Sequence, residues 1–289
     1  MEGSRIVGIR NVGIVGAGTM GSGIAQVCAA AGFRVTLLDV STEAVSKGVE
    51  TVSRNLERLV VKEKLAAGDK AAILERVSPT TSNGDLAASD LVIEAATENE
   101  TLKQRILRDI DAIVSPTAII ATNTSSISVT RLAAVTGRAP QFIGMHFFNP
   151  VPVMALVELI RGLQTSDETL ATARGFVEAL GKTAVVARNS PGFAVNRILC
   201  PMINEAIFAL HEGLASAEEI DAGMMLGCNH PIGPLALADL IGLDTMLSVM
   251  EVFYDGFKDP KYRPAPLLKE MVDAGFLGRK SGRGFFNYA

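Results

Sequence analysis

The stretch Asn11-Val12-Gly13-Ile14-Val15-Gly16-Ala17-Gly18-Thr19-Met20-Gly21 decides the fold. An apolar run ends in three glycines spaced G-x-G-x-x-G, and an Ala-rich helical pattern over residues 19–31 follows. A second β-branched run, Val35–Leu38, ends on Asp39. Strand, glycine turn, helix, strand and acid in that order make a dinucleotide-binding fingerprint, which the glycines alone do not. Gly16 allows a tight turn, Gly18 lets the backbone approach a pyrophosphate, and Gly21 permits close helix–strand packing. The helix N-terminus, around Thr19 and Met20, offers N–H groups and a positive dipole to the phosphates. Asp39 accepts hydrogen bonds from ribose hydroxyls and repels a 2′-phosphate, which favours NAD over NADP.

Outward from this motif the alternation continues. A long helix is expected over residues 42–65, with Lys47, Glu50, Arg54, Glu57 and Arg58 on its outer face. Leu91–Glu94 and Ala118–Thr122 read as buried strands around a helix at residues 101–113. Phe142–Met145, Met154–Ile160 and Ala184–Ala187 read as three more strands. Continuous apolar strands alternating with helices imply a parallel sheet covered on both faces. After Ser190-Pro191-Gly192 the periodicity is helical: residues 197–212, 216–226, 235–257 and 266–274. Ser216 with Glu219 has capping-box spacing. The expected architecture is α/β: a Rossmann-type dinucleotide-binding domain over 1–187, then an all-α domain over 188–289.

Composition narrows the function. Hydrophobic residues make up 48% of the 289, enough for two cores and too many for disorder. The 27 Lys and Arg against 31 Asp and Glu give a net charge of −4 with no basic block, which argues against a nucleic-acid partner. No apolar run approaches membrane-span length, and Glu2, Arg5 and Arg10 interrupt any leader-like stretch. A soluble, cytoplasmic protein without a membrane partner is expected. The three cysteines, Cys28, Cys200 and Cys228, match no metal or redox spacing and read as reduced thiols packed as small hydrophobes. No metal site is expected.

Three histidines are available as proton carriers. His211 falls near a helix end and suits a solvated or capping role, and His230 in Asn229-His230-Pro231 suits a turn. His146 ends a strand in the α/β half, where such sheets place ligands, although a core histidine satisfied by backbone has the same signature. Glu158 lies in the apolar run Leu156-Val157-Glu158-Leu159-Ile160. If that strand is buried the carboxylate needs a partner, and an imidazole whose tautomer it fixes is a natural one. An edge strand facing water is the alternative. Asn123-Thr124-Ser125-Ser126 also follows a strand and offers polar groups to a substrate or to the cofactor's ribose, or a helix cap.

Taken in order, Gly16–Gly21, Asp39, Asn123–Ser126, His146-Phe147-Phe148-Asn149-Pro150, Glu158 and Pro191-Gly192-Phe193-Ala194-Val195-Asn196-Arg197 resemble the L-3-hydroxyacyl-CoA dehydrogenases. The likeness runs from Ile9 to Tyr288 and is strongest to the single-function bacterial members acting on 3-hydroxybutyryl-CoA. It implies His146 as general base, Glu158 as its partner, and Ser125 and Asn196 as holders of the substrate oxygen. It implies NAD contacts at Asp39, Glu98, Lys103, Asn123, Ser125, Asn149 and Lys280. It implies CoA contacts at Lys62 and Asn55, where the family often has Ser at the latter position. It further implies an active site between the two domains and a homodimer through the helical one. Two other readings stay open: a sugar-acid 3-dehydrogenase of the L-gulonate type, and a non-catalytic NAD-binding redox sensor. A fragment of a larger fatty-acid oxidation multienzyme is disfavoured by the length.

Overall fold

The computed structural model describes residues 8–288. The residues up to Val7, with two of the three charges that argue against a leader, lie outside that range. Contacts divide the chain into two compact units, Met1–Asn189 and Ser190–Ala289.

The first unit comprises β1 (Asn11–Val15), α1 (Thr19–Ala30), β2 (Arg34–Leu38), α2 (Thr42–Val61), α3 (Ala67–Leu74), β3 (Val77–Thr80), β4 (Leu91–Glu94), α4 (Glu100–Asp111), β5 (Ile119–Thr122), α5 (Val129–Ala133), β6 (Phe142–Phe147), β7 (Leu156–Arg161), α6 (Asp167–Ala179) and β8 (Thr183–Arg188). The strands form one sheet in the order β3-β2-β1-β4-β5-β6-β7-β8. The first six are parallel and follow the doubly wound Rossmann order, in which ligands bind beyond the strands' carboxyl ends. An all-parallel sheet is therefore corrected at one edge: β7 runs antiparallel to β6, and β8 is parallel to β7. The apolar run at 156–160 carries no mark of direction, because a strand buried on both faces reads alike either way. Strand β3, with the short sequence Val-Ser-Pro-Thr at the sheet edge, lacks an apolar run and was not legible as a strand. The long helix expected to residue 65 ends at Val61, and a separate α3 follows after a turn in which Glu63 takes φ of 54°.

Glycine is required where α1 meets the β1 turn. Gly16 has φ of 104° and packs against the loop after β4, where a Cβ would lie 2.7 Å from the Ala95 carbonyl oxygen. A Cβ on Gly21 would come within 1.7 Å of the Gly16 carbonyl oxygen, so α1 can approach the turn only with hydrogen at that position. Around Gly18 an added Cβ would meet nothing within 4 Å. Beneath, Ile14, Ile24, Leu37, Leu56 and Ile93 form part of a buried core on one face of the sheet, with Phe33 against Phe176 at 5.1 Å between ring centroids.

The second unit is helical: α7 (Val195–His211), α8 (Ala217–Gly227), α9 (Pro234–Ile241), α10 (Leu243–Phe257) and α11 (Pro266–Asp273). The single helix expected over 235–257 is two, broken at Gly242 with φ of 101°. The capping box of Ser216 and Glu219 forms. Ile203, Leu235, Met246, Met250 and Phe253 pack its core. Buried Asp221 caps α9 through the Leu235 and Ala236 amides, and buried Asp239 accepts from the Phe285 and Phe286 amides and the Tyr288 hydroxyl. Cys28 and Cys200 are buried, and burial pushes both thiols up, the latter to about 12; Cys228 is exposed, a departure from the expectation of three packed thiols. It follows the last residue of α8 as the helix cap, beyond the reach of the core.

These contacts predict a contrast between two glycines. Gly21→Ala should lower stability by about 1–3 kcal/mol, the usual cost of overpacking, seen as a lower melting temperature. Gly18→Ala should melt as the wild type. Equal melting of the two variants would refute the packing argument.

Candidate active site

The carboxyl ends of β1, β4, β5 and β6 emerge on one edge of the sheet, as their parallel pairing requires. At β1 the glycine turn leads into α1, whose N-cap is Gly18 with no side-chain capping bond and no acid in its first turn. The first helical amides are thus left to an outside acceptor, and the positive helix end is not neutralised. Asp39, just past β2, is half-buried; its Oδ2 accepts from the Ala17 amide at 2.6 Å and its Oδ1 from the Val40 amide at 2.7 Å. The carboxylate is thereby locked beside the turn with lone pairs to spare. Open space over Gly18, a helix end without its own acid and a fixed carboxylate one strand away fit a dinucleotide.

At β6 and β7 the antiparallel register sets His146 directly opposite Glu158. Facing residues on such a pair project to the same side, so the two side chains meet: His146 Nδ1 lies 2.8 Å from Glu158 Oε2. Glu158 is fully buried and His146 nearly so. The edge-strand alternative for Glu158 does not hold, because β8 covers β7 on its other side. On the imidazole's far side His146 Nε2 lies 3.1 Å from Ser125 Oγ, and the Phe148 ring packs at 4.5 Å between centroids. With Nδ1–H donated to the carboxylate, Nε2 carries the lone pair that accepts a proton from a hydroxyl. Gly144 makes room on this face: a Cβ there would meet Val129 of α5 at 2.8 Å and Ile160 at 2.9 Å.

Between cradle and imidazole lies a buried ionic knot. Glu94, at the end of β4, and Lys103, in the first turns of α4, have no exposed side-chain surface. Lys103 Nζ reaches Glu94 Oε1 at 2.8 Å and Oε2 at 3.0 Å, and donates to the Ala96 and Asn123 carbonyl oxygens at 3.1 and 3.4 Å. Thr122 Oγ1 donates to Glu94 Oε2 at 2.6 Å. Removing one partner of such a buried pair costs about 3–5 kcal/mol. Asn123 Oδ1 accepts from the Phe147 amide, tying β5 to β6 beside His146.

The structure thus brings Ser125, His146 and Glu158 into one hydrogen-bonded line, with Asn123 and Glu98 adjoining. Lys103 is buried at this edge, its ammonium engaged by Glu94 and by the Ala96 and Asn123 carbonyl oxygens. Asn149 is exposed in the loop after β6. Asn55 on α2 is half-buried and its amide approaches Gln26 Oε1 at 3.3 Å, while Lys62 is exposed at the C-cap of α2. In the second unit Asn196 opens α7 and Lys280 pairs with Asp244 at 2.5 Å. There Gly192 and Phe193 have φ of 75° and 49°, and the Arg197 guanidinium lies 3.8 Å from the Phe257 ring centroid. His211 ends α7, exposed, and His230 lies in the turn after α8. Sequence reasoning missed Glu94. Its signal was the one that marks Glu158, a carboxylate closing an apolar strand in Leu91-Val92-Ile93-Glu94. Among the described residues no helix is long and apolar enough to cross a membrane, and no cluster of His, Cys, Asp and Glu could hold a metal.

Known proteins share both parts of this chain. The NAD-binding domain of 3-hydroxyacyl-CoA dehydrogenase matches residues 11–190, and the C-terminal domain of that enzyme matches 192–288. A 3-hydroxybutyryl-CoA dehydrogenase of Bradyrhizobium diazoefficiens is 53% identical over 97% of this chain and 96% of its own length. Another from Clostridioides difficile is 48% identical over 95% and 98% respectively. The crystal structure of (S)-3-hydroxybutyryl-CoA dehydrogenase from Ralstonia eutropha superposes with a TM-score of 0.96 at 67% identity, covering 98% of this chain and 100% of that one. Matched by both domains with Pro191 alone left between them, the chain belongs to the 3-hydroxyacyl-CoA dehydrogenase family.

Proposed function

We propose that the protein interconverts (3S)-3-hydroxyacyl-CoA and 3-ketoacyl-CoA thioesters with NAD, and that 3-hydroxybutyryl-CoA and acetoacetyl-CoA are its substrate pair. The observation that carries the mechanism is the line from Ser125 Oγ through His146 to the buried Glu158 carboxylate. Bound NAD supplies the acceptor for the hydride that leaves C3. His146 Nε2 takes the proton of the C3 hydroxyl, so the carbon–oxygen bond becomes a carbonyl as the hydride departs. Glu158, at Nδ1, offsets the positive charge forming on the ring and holds the ring in one tautomer. Ser125 donates to the C3 oxygen and aligns it with Nε2, and this alignment supplies much of the rate. Asn196 shares that task, on the strength of the motif that carries it.

Gly16, Gly18, Thr19, Met20 and Gly21 would hold the pyrophosphate and Asp39 the adenosine ribose; Glu98, Lys103, Asn123, Ser125, Asn149 and Lys280 are assigned to the same cofactor from the family. Lys62, exposed at the end of α2, is assigned to the phosphates of the CoA arm, with Asn55 about two helix turns before it. A homodimer through the helical unit fits the apolar side chains exposed there, Ile198, Leu226 and Leu240 at 73%, 87% and 54%.

Steady-state assays test the reading directly. Acetoacetyl-CoA should be reduced with NADH and far less well with NADPH; turnover of L-gulonate with NAD in place of the thioester would overturn the substrate. His146→Gln should lower kcat by about 10²–10⁴-fold, the span of general-base catalysis, while NADH fluorescence titration shows binding retained. Lys62→Ala should raise KM for the acyl-CoA about threefold to tenfold at constant kcat, because a single screened charge contributes to binding alike in ground and transition states. Sedimentation should return a dimer, and a monomer at assay concentration would exclude that part.

A further inference from the structure

Glu98 lies in the loop between β4 and α4, with its side chain 39% exposed. Its Oε1 collects four donors from one turn: Thr124 Oγ1 at 2.6 Å, the Ser125 amide at 2.9 Å, Ser126 Oγ at 3.0 Å and the Ser126 amide at 3.2 Å. Four donors on one oxygen exceed its lone pairs, so some of these bonds are shared, and the carboxylate charge strengthens each of them. The other oxygen, Oε2, stands 3.7 Å from Lys103 Nζ. That ammonium is fixed by Glu94 and by the carbonyl oxygens of Ala96 and Asn123. A continuous path therefore leads from the ionic knot between β4 and β5, through Glu98, to the backbone of Ser125, whose Oγ faces His146.

We infer that Glu98 is a positioning residue, whose carboxylate gathers residues 124–126 so that Ser125 Oγ faces His146 Nε2, with Lys103 anchoring that carboxylate by charge. The inference rests on the role proposed above for Ser125 and goes beyond it, since family likeness alone casts Glu98 as a cofactor contact. Chain direction makes the device necessary. Ser125 follows β5 in a turn that leaves the sheet, so no ladder bond holds it against β6. One carboxylate closing on three consecutive residues replaces that missing ladder. In Glu98→Gln the acceptor becomes neutral and an amide nitrogen faces the Lys103 ammonium, so the turn loosens without a change of size.

A double-mutant cycle on the full chain separates this from a cofactor or purely structural role. Glu98→Gln should lower kcat about 10- to 100-fold, a fall larger than any accompanying rise in KM for NADH, the loss expected when a charge-assisted hydrogen bond is weakened. In a Ser125→Ala background the same change should cost less than about threefold, because the residue it positions is gone. Glu98→Asp, one methylene shorter but still charged, should lose kcat as Gln does, and its melting and NADH titration guard against unfolding. Costs that multiply across the cycle would overturn the inference, as would a tenfold rise in KM for NADH at constant kcat or full activity in the Asp variant. Should Ser125→Ala leave kcat intact, the proposed role of Ser125 fails instead, a result distinct from loss of coupling in the cycle.

Discussion

A carboxylate with no exposed surface can stay in an apolar sheet only if a partner meets it, and Glu158 meets His146 at 2.8 Å. Much of the first unit's local architecture serves that contact. The reversal of β7 brings the two residues opposite, β8 removes the solvent edge, and Gly144 lets α5 close over the same face. Val157 and Leu159, with Met145 and Phe147, turn to the opposite face and anchor the hairpin in the main core. The pair is thus held by packing on both sides, with the imidazole's Nε2 turned toward Ser125.

A second constraint lies at the ends of β4 and β5. Chains leaving a parallel sheet have no neighbour to bond to, and here one ammonium and one carboxylate, both buried, take up the loose backbone oxygens and amides. Such a pair contributes little net stability over an apolar replacement, yet it specifies where each loop goes. The glycine turn at β1 achieves the same by the opposite means, through the absence of side chains.

What the sequence made legible followed from local rules. The glycine spacing, the apolar runs and the capping box at Ser216 each encode their geometry within a few residues, and the fold class and NAD followed. His146 stands out because it ends a strand where such sheets place ligands, and Glu158 because a carboxylate among Leu, Val and Ile demands a partner. Strand direction did not show, since burial on both faces erases the alternation that would mark it. Nor did the break at Gly242, where the apolar pattern passes through without a change of phase and only φ of 101° ends the helix. Lys103 enters as a cofactor contact from the family likeness, and nothing in its polar helix marks it as buried. Its burial depends on Glu94, nine residues earlier in another element.

The alternation of the β6–β7 ladder has a bearing on how this site can change. Along β7 only alternate positions share a face with His146, and of these Glu158 alone is directly opposite. Moving the acid one step along the chain would plant it in the main core and leave the imidazole facing a hydrocarbon. The acid therefore has one discrete address with no neighbouring intermediate. A lineage can alter the groups around Ser125 or the helices beyond residue 190 by small increments, but it keeps or loses this pair in a single step.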